Sequence, residues 1–408
     1  MQHLPIDSAR LWHSLNQMAR FGAAGRGGVH RLALSSPDLA ARADFRAQCE
    51  QAGLRVRVDE YANMFARREG RDPTLPPVVF GSHLDSQPLG GRYDGALGVM
   101  AGLEVMRSLN DHGIVTQAPL ELVNWTDEEG ARWGKSLLGS GLWSGVHGIE
   151  ATLALRDANG ISFGEALVAA RGDAPGVAFP GSAYFEMHIE QGVILENAGL
   201  PVGIVTGCQA QVWYELVATG LSSHAGTTPP SFRRDALVAA ARVIDLVDRM
   251  MRARGEEGRG TVGRLQVIPN SSNVIPGEVR FSAEFRHPVD AELARIKAQF
   301  PREVGFIARD AGVAITVKPV LELAATPFDP GLLAMMRTAA DAMGLGHRDI
   351  VSGGGHDAIY AAKHMKAAMI FIPCLDGRSH CEEETIEADH AAAGTALLYG
   401  AVRRAAGA

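Results

Sequence analysis

Five short segments of this sequence set His, Asp or Glu beside apolar runs, so that each can contribute a group to one shared site. In Val78-Val79-Phe80-Gly81-Ser82-His83-Leu84-Asp85, a histidine follows a strand-like apolar run, with a carboxylate two residues on. A metal-binding imidazole needs its other ring nitrogen held, and Asp85 is placed to hold that of His83. The same pair also reads as a loop histidine beside an ordinary aspartate. Gly90-Gly91-Arg92-Tyr93-Asp94-Gly95 precedes a helical pattern, so Asp94 is either an oxygen donor to a cation or an N-cap. Trp125-Thr126-Asp127-Glu128-Glu129-Gly130 sets three carboxylates in a row after an apolar strand, and they repel one another unless a cation is near. Neighbours in extended chain point to opposite sides, which lets Glu129 ligate while Glu128 stays available as a general base. The alternative is a solvated acidic loop.

The fourth segment is Phe185-Glu186-Met187-His188-Ile189-Glu190-Gln191-Gly192, where His188 alternates with apolar neighbours and is either a ligand or a satisfied core histidine. The fifth is Gly377-Arg378-Ser379-His380-Cys381-Glu382-Glu383-Glu384, with His380 as a last ligand. Together these groups sit mostly at the carboxyl ends of expected strands, where α/β sheets place their sites. They are too many for one tetrahedral zinc with an open position and suit two ions that share a carboxylate. Gly353-Gly354-Gly355-His356-Asp357 lacks the lysine of a phosphate loop and instead lets backbone amides approach a substrate. Gly160-Ile161-Ser162-Phe163-Gly164 matches a nucleophile-elbow pattern but follows no apolar strand, so that context fails.

The elements that must position these groups read as two styles. Residues 38–52 and 96–109 are helical; 54–61, 78–80, 120–125 and 183–189 are strands. Strands alternating with helices imply an α/β domain with a mostly parallel sheet covered on both faces. From 212 to 321 the order is strand 212–219, helix 233–254, strands 264–268 and 278–286, helix 291–308 and strand 313–321. That is the βαββαβ pattern of a ferredoxin-like unit. Helix 331–344, strand 367–372 and helix 388–405 then resume the first style. The expected organisation is a catalytic domain of residues 1–207 and 324–408 interrupted by an inserted domain, 208–323. A glycine-rich stretch at 22–28 stands apart from all of this.

The chain has 408 residues and a net charge of −7, with no basic block, which argues against nucleic acid as the main partner. No apolar run is long enough for a membrane helix. The first residues lack the pattern of a signal peptide, and four scattered cysteines do not form a disulfide framework. A cytoplasmic enzyme is the expectation.

The motifs above, with Ser223-His224-Ala225-Gly226-Thr227-Thr228-Pro229, Asn273-Val274-Ile275-Pro276 and Gly355-His356-Asp357-Ala358, occur in order along nearly the whole chain. In this the sequence resembles the M20 di-zinc amidohydrolases of the N-carbamoyl-L-amino-acid hydrolase, beta-ureidopropionase and allantoate amidohydrolase group. The resemblance implies a metallopeptidase-like catalytic domain and a homodimer formed through the inserted domain. It implies two divalent ions per subunit, zinc foremost with manganese or cobalt able to replace it. His83 and His188 would hold one ion, Glu129 and His380 the other, and Asp94 would bridge; Glu128 would be the base.

By the same resemblance, His224 would reach the partner's site as an oxyanion donor, whereas its residues alone read as a loop histidine capping the helix after Pro230. Asn273 and Arg286 would clamp a substrate carboxylate, with Gln191, Gly355 and His356 as further substrate contacts. The implied reaction is hydrolysis of a ureido C–N bond in an N-carbamoyl-L-amino acid or N-carbamoyl-beta-alanine. Allantoate is the alternative, an aminoacylase or dipeptidase activity a more distant one, and a non-catalytic binding protein that kept the fold the remaining class. The allantoate branch is expected to carry Gln-Arg-Arg where this chain has Gln211-Val212-Trp213. An indole cannot make an arginine's forked contact, so Trp213 favours carbamoyl amino acids unless it is simply a core residue.

Overall fold

The computed structural model describes residues 4–171 and 181–408. It divides into two compact units, Met1–Gly207 with Pro327–Ala408, and Cys208–Thr326.

The larger unit is built on a nine-stranded sheet. At its centre Lys366–Ile372, Ala183–Ile189, Val78–His83 and Leu120–Trp125 lie side by side and parallel. Every residue of the last three strands is buried, as expected of parallel strands covered on both faces. The helices Ala96–Asp111 and Ala388–Ala405 pack against them. The sheet is mixed rather than mostly parallel. Met64–Arg68 runs antiparallel to Leu120–Trp125, Arg55–Val58 antiparallel to Met64–Arg68, and Val202–Cys208 antiparallel to Lys366–Ile372. A short connection joins Arg55–Val58 to Met64–Arg68, which favours their antiparallel pairing, whereas Met64–Arg68 and Val202–Cys208 pair with strands far along the chain.

Parallel strands bring their carboxyl ends to one edge. His83 ends its strand, His188 is the penultimate residue of Ala183–Ile189, and the loops carrying Glu128, Glu129 and His380 follow two more of these strands. Ser162 of the nucleophile-elbow pattern caps the helix Phe163–Leu167, in a reciprocal box with Glu165.

The smaller unit follows the order Ala210–Thr219, helix Ala236–Arg252, Arg259–Thr261 and Leu265–Ile268, Glu278–His287, helix Asp290–Asp310 and Ala314–Leu323. Its strands pair antiparallel, with Ala210–Thr219 between Glu278–His287 and Ala314–Leu323. One face carries Val212, Tyr214, Leu216, Phe281 and Phe285 into a core with Val243, Ile296 and Phe300. Alternation along the strands sends Gln211, Trp213, Glu215, Ser282, Glu284 and Arg286 to the opposite face. Ala325 N–H donates to Asp290, 2.8 Å away, so the chain stays within this unit just past its last strand.

Candidate metal centre

The turn before the helix Ala96–Asp111 delivers Asp94. The helix takes Gly95 as its N-cap with no side-chain cap, so the Asp94 carboxylate is not used for capping. It faces three imidazoles instead. Oδ1 lies 3.0 Å from His188 Nε2 and 3.5 Å from His83 Nε2, while Oδ2 lies 3.4 Å from His380 Nε2. His380 Nε2 is also 3.4 Å from Glu129 Oε2. Two donor groups result, His83–Asp94–His188 and Asp94–Glu129–His380, and each gathers its ligand atoms within 4.8 Å of one another. One carboxylate belongs to both.

The donor set fits divalent ions. Each group offers three nitrogen or oxygen ligands, which leaves positions open for water and substrate. His83 Nε2 is buried and has no hydrogen-bond partner among the described residues, an expensive condition unless another species occupies its lone pair. The second ring nitrogens are already held. His83 Nδ1 meets the Asp85 carbonyl at 3.0 Å, and His188 Nδ1 meets the Ile189 carbonyl at 2.9 Å. Both therefore carry the proton on Nδ1 when neutral and present Nε2 inward.

Asp85 does not support His83 through its carboxylate, which stands 3.8 Å from the ring. The backbone carbonyl takes that place, and the carboxylate instead accepts the N–H groups of Glu128 and Glu129 at 3.3 and 3.2 Å. This clamp also explains how the two glutamates separate. They are not in extended chain: Asp127 has φ 54° and turns the backbone. Glu129 then faces His380, and Glu128 Oε2 lies 3.6 Å from His83 Nε2.

The charges are strained against one another. Burial alone would lower the His83 pKa, but the Glu128 charge and the contact with Asp94 outweigh it and raise it well above its usual range. Burial would raise Asp94, yet the His188 charge and the three imidazole contacts hold it well below. Burial pushes Glu128 well upward, offset in part by His83 and reinforced by Asp357 and Glu129. Glu129 rises to about 7 through burial and the Asp94 charge. A cluster that pulls protons onto buried imidazoles while raising nearby carboxyls is one that a dication would neutralise.

Residues with no place in the sequence reading complete the setting. Glu384 accepts the N–H groups of Tyr93 and Asp94 at 2.9 and 3.0 Å and the Ser379 hydroxyl at 3.1 Å. It thereby ties the Asp94 turn to the His380 loop. Gly91 admits it: a Cβ there would sit 1.9 Å from the Glu384 carboxyl carbon. Glu186 accepts from Ser82 and Tyr184 hydroxyls and from Ala358 N–H, joining two central strands to the loop after His356. Its position two residues before His188 on one strand face was the available signal. Glu384 was one of three adjacent glutamates, and nothing local distinguished it.

The expected substrate contacts fall in several places. Gln191, at φ 57°, donates to Asp94 Oδ2 at 2.7 Å and lies 3.3 Å from His380 Nε2, so it sits at the metal cluster itself. His356 is 2% exposed, packs 4.5 Å from the His188 ring and meets the Ser352 hydroxyl through Nε2. Burial, then the His188 charge, hold it well below its usual pKa, so it is a neutral packing partner here. Gly355 is half-buried in the loop before it.

In the smaller unit, His224 and Asn273 lie together on a two-stranded ribbon, with His224 opposite Val274 and the Asn273 carbonyl accepting from Ala225 N–H. His224 does not cap the following helix, which Asp235 caps. Its Nδ1 accepts from Gly226 N–H at 3.0 Å, which leaves Nε2 of this exposed ring as the donor. Arg286 lies at the far end of the strand Glu278–His287 from this ribbon, about 26 Å along it between positions 278 and 286. One chain's sheet therefore does not bring Asn273 and Arg286 together. Arg286 is 3.0 Å from Glu284 and 5.9 Å over the Trp213 ring. Trp213 is 40% exposed on the open face, not a core residue.

Gly95 offers a direct check of the first donor group. It has φ 64°, and a Cβ there would stand 2.3 Å from the His83 ring. Gly95→Ala should leave the circular dichroism of the folded sheet in place but weaken metal affinity by roughly tenfold or more. Wild-type affinity in a chelator competition would contradict this geometry.

With that geometry in hand, the similarities to known proteins are informative. Residues 79–404 match the model of peptidase family M20/M25/M40. Over 399 residues the chain is 42% identical to the N-carbamoyl-L-amino-acid amidohydrolase of Rhizobium meliloti, covering 97% of this chain and 96% of that one. It is 38% identical to the N-carbamoyl-L-amino acid amidohydrolase of Geobacillus stearothermophilus, covering 97% and 98%. Among solved structures, a hydantoinase/carbamoylase family amidase from Burkholderia multivorans superposes with a TM-score of 0.94 at 47% identity, covering 98% of each chain. A nine-stranded mixed sheet, two donor groups at its carboxyl edge and these matches along the whole chain agree: the protein belongs to peptidase family M20/M25/M40.

Proposed function

We propose that the protein is a two-metal amidohydrolase that cleaves the ureido C–N bond of N-carbamoyl-L-amino acids or N-carbamoyl-beta-alanine. The observation that carries this is Asp94, one of whose oxygens faces His83 and His188 while the other faces His380, with Glu128 alongside. The names of the relatives support the substrate class. Two divalent ions held there, zinc first and manganese or cobalt with the same ligands, would supply Lewis acidity and lower the pKa of a shared water.

The chain's own residues do the rest. Glu128, kept basic enough by burial, takes the proton of the attacking water on Oε2 and returns it to the leaving nitrogen. Addition of that water to the ureido carbonyl and cleavage of the C–N bond give the amino acid and a carbamate, which falls apart to carbon dioxide and ammonia. His224 presents Nε2–H and is the donor to the tetrahedral oxyanion, supplied across a homodimer contact of the smaller, inserted unit. Exposed Phe232 and Leu221 near that ribbon support such a contact. Asn273 and Arg286 bind the substrate carboxylate, each from a different chain, since one chain holds them apart. Within the larger unit Gln191, on Asp94, is the further substrate contact, with the Gly355–His356 loop beside the His188 ring.

Trp213 on the open sheet face, beside Arg286, favours a carbamoyl amino acid over allantoate. No helix among the described residues is long and apolar enough to cross a membrane. Four free cysteines fit a reducing, cytoplasmic compartment.

Ammonia release from N-carbamoyl-L-amino acids, N-carbamoyl-beta-alanine and allantoate, with amino-acid release from N-acyl amino acids and dipeptides measured alongside, tests the substrate class. Carbamoyl substrates should be turned over best, and thorough chelation should abolish turnover; allantoate as the best substrate, or activity that survives chelation, would overturn the reading. Glu128→Gln should keep metal content at the wild-type level and lower kcat by about a hundredfold or more. An unchanged kcat would remove Glu128 from the role of base.

A further inference from the structure

We infer that Gln87 is the residue that positions Glu129 for the second ion, so that it controls that ion's affinity separately from the first. The inference rests on the two-ion reading above and adds a residue outside the ligand set.

The two donor groups are supported differently. In the first, both imidazoles are fully buried and each is fixed through Nδ1 by a backbone carbonyl one or two residues on. In the second, His380 is half exposed on a loop with φ 57°. Asp94 is shared. The only ligand that is both buried and exclusive to the second group is therefore the Glu129 carboxylate, and its orientation has to come from somewhere else.

Gln87 provides it. Its backbone N–H donates to Glu129 Oε1 at 3.1 Å, and its Nε2 donates to Oε2 at 2.8 Å and lies 3.4 Å from the Glu129 carbonyl. Both carboxylate oxygens are thus held by one residue. Each keeps a second lone pair, so Oε2 can accept from the carboxamide and still face the ion position beside His380. An outer partner that fixes a ligand in this way sets metal affinity by limiting the orientations the ligand must give up on binding.

Gln87 is itself immobilised. Its neighbour Ser86 donates its N–H to the Arg31 carbonyl at 2.9 Å and accepts from Arg31 N–H at 3.0 Å. The Arg31 side chain is fully buried and donates to the carbonyls of Leu84, Met18 and Phe21. The Gln87 carbonyl accepts from Gly90 N–H. The loop therefore offers a carboxamide in a fixed place, and no contact with the first donor group is made through Gln87 in the hydrogen bonds of the described residues.

The test is a zinc titration of the full-length, metal-stripped protein in competition with a buffered chelator, which resolves two binding steps. Gln87→Met keeps the volume and the backbone donor but removes Nε2. The first step should stay within about twofold of wild type and the second weaken by roughly tenfold or more, with the thermal midpoint of the metal-free protein unchanged. Gln87→Asn, whose arm is one methylene shorter, should weaken the same step and serves if the methionine variant does not fold. An unchanged second step in either folded variant overturns the role of Gln87. So does equal weakening of both steps with a lowered metal-free midpoint, which would mark a merely structural residue. A wild-type chain that takes up one ion overturns the two-ion reading, and the inference with it.

Discussion

Asp94 is a single buried carboxylate that faces three imidazoles, and the arrangement of the larger unit follows from what it takes to hold it there. Glu128, Glu129, Asp127, Asp357 and Glu384 are all in or beside the same interior, and burial raises the pKa of every one of them. Two like charges about 4 Å apart repel by about 4 kcal/mol at an effective dielectric near 20. Asp127 has no hydrogen-bond partner on either carboxylate oxygen among the described residues, and Asp357 has none on Oδ2. Such a concentration of acid is costly to fold unless protons or cations offset it. A pair of dications at the Asp94 carboxylate is the most compact way to do so.

The fold meets the geometric side of that constraint with four parallel strands, whose ends deliver ligands from distant parts of the chain to one edge. Backbone carbonyls then orient the two strand-borne histidines. Carboxylates that do not ligate bind loops to one another: Asp85 the glutamate turn, Glu384 the Asp94 turn and the His380 loop, Glu186 the loop after His356. The site is thus held by a layer of hydrogen bonds as extensive as the ligand set itself. That is the condition under which a catalytic centre can remain precise while domains or subunits move around it.

Much of this was legible in the sequence because it depends on local pattern. Apolar runs marked the central strands, and most of the donors lie at or just after their ends, while the resemblance to the M20 amidohydrolases implied which of them would share an ion. The βαββαβ order of the smaller unit came from alternation and helical spacing alone. What was not legible depends on long-range pairing or backbone turns. The antiparallel flanking strands, such as Met64–Arg68 and Val202–Cys208, have their direction set by neighbours far away in sequence. The Asp85 carboxylate went to two backbone amides rather than to His83 because the turn at Asp127 brings those amides to it. Gln87, Glu384 and Gln191 act through contacts across 42, 290 or 97 residues, which no spacing rule encodes.

The central claim is that two ions share Asp94. It is tested most directly by anomalous scattering from crystals of the protein loaded with zinc, collected at the zinc edge. Two peaks are predicted in each chain, one against His83 and His188 and one against Glu129 and His380, with an Asp94 oxygen on each. A single peak, or peaks away from Asp94, would contradict the account.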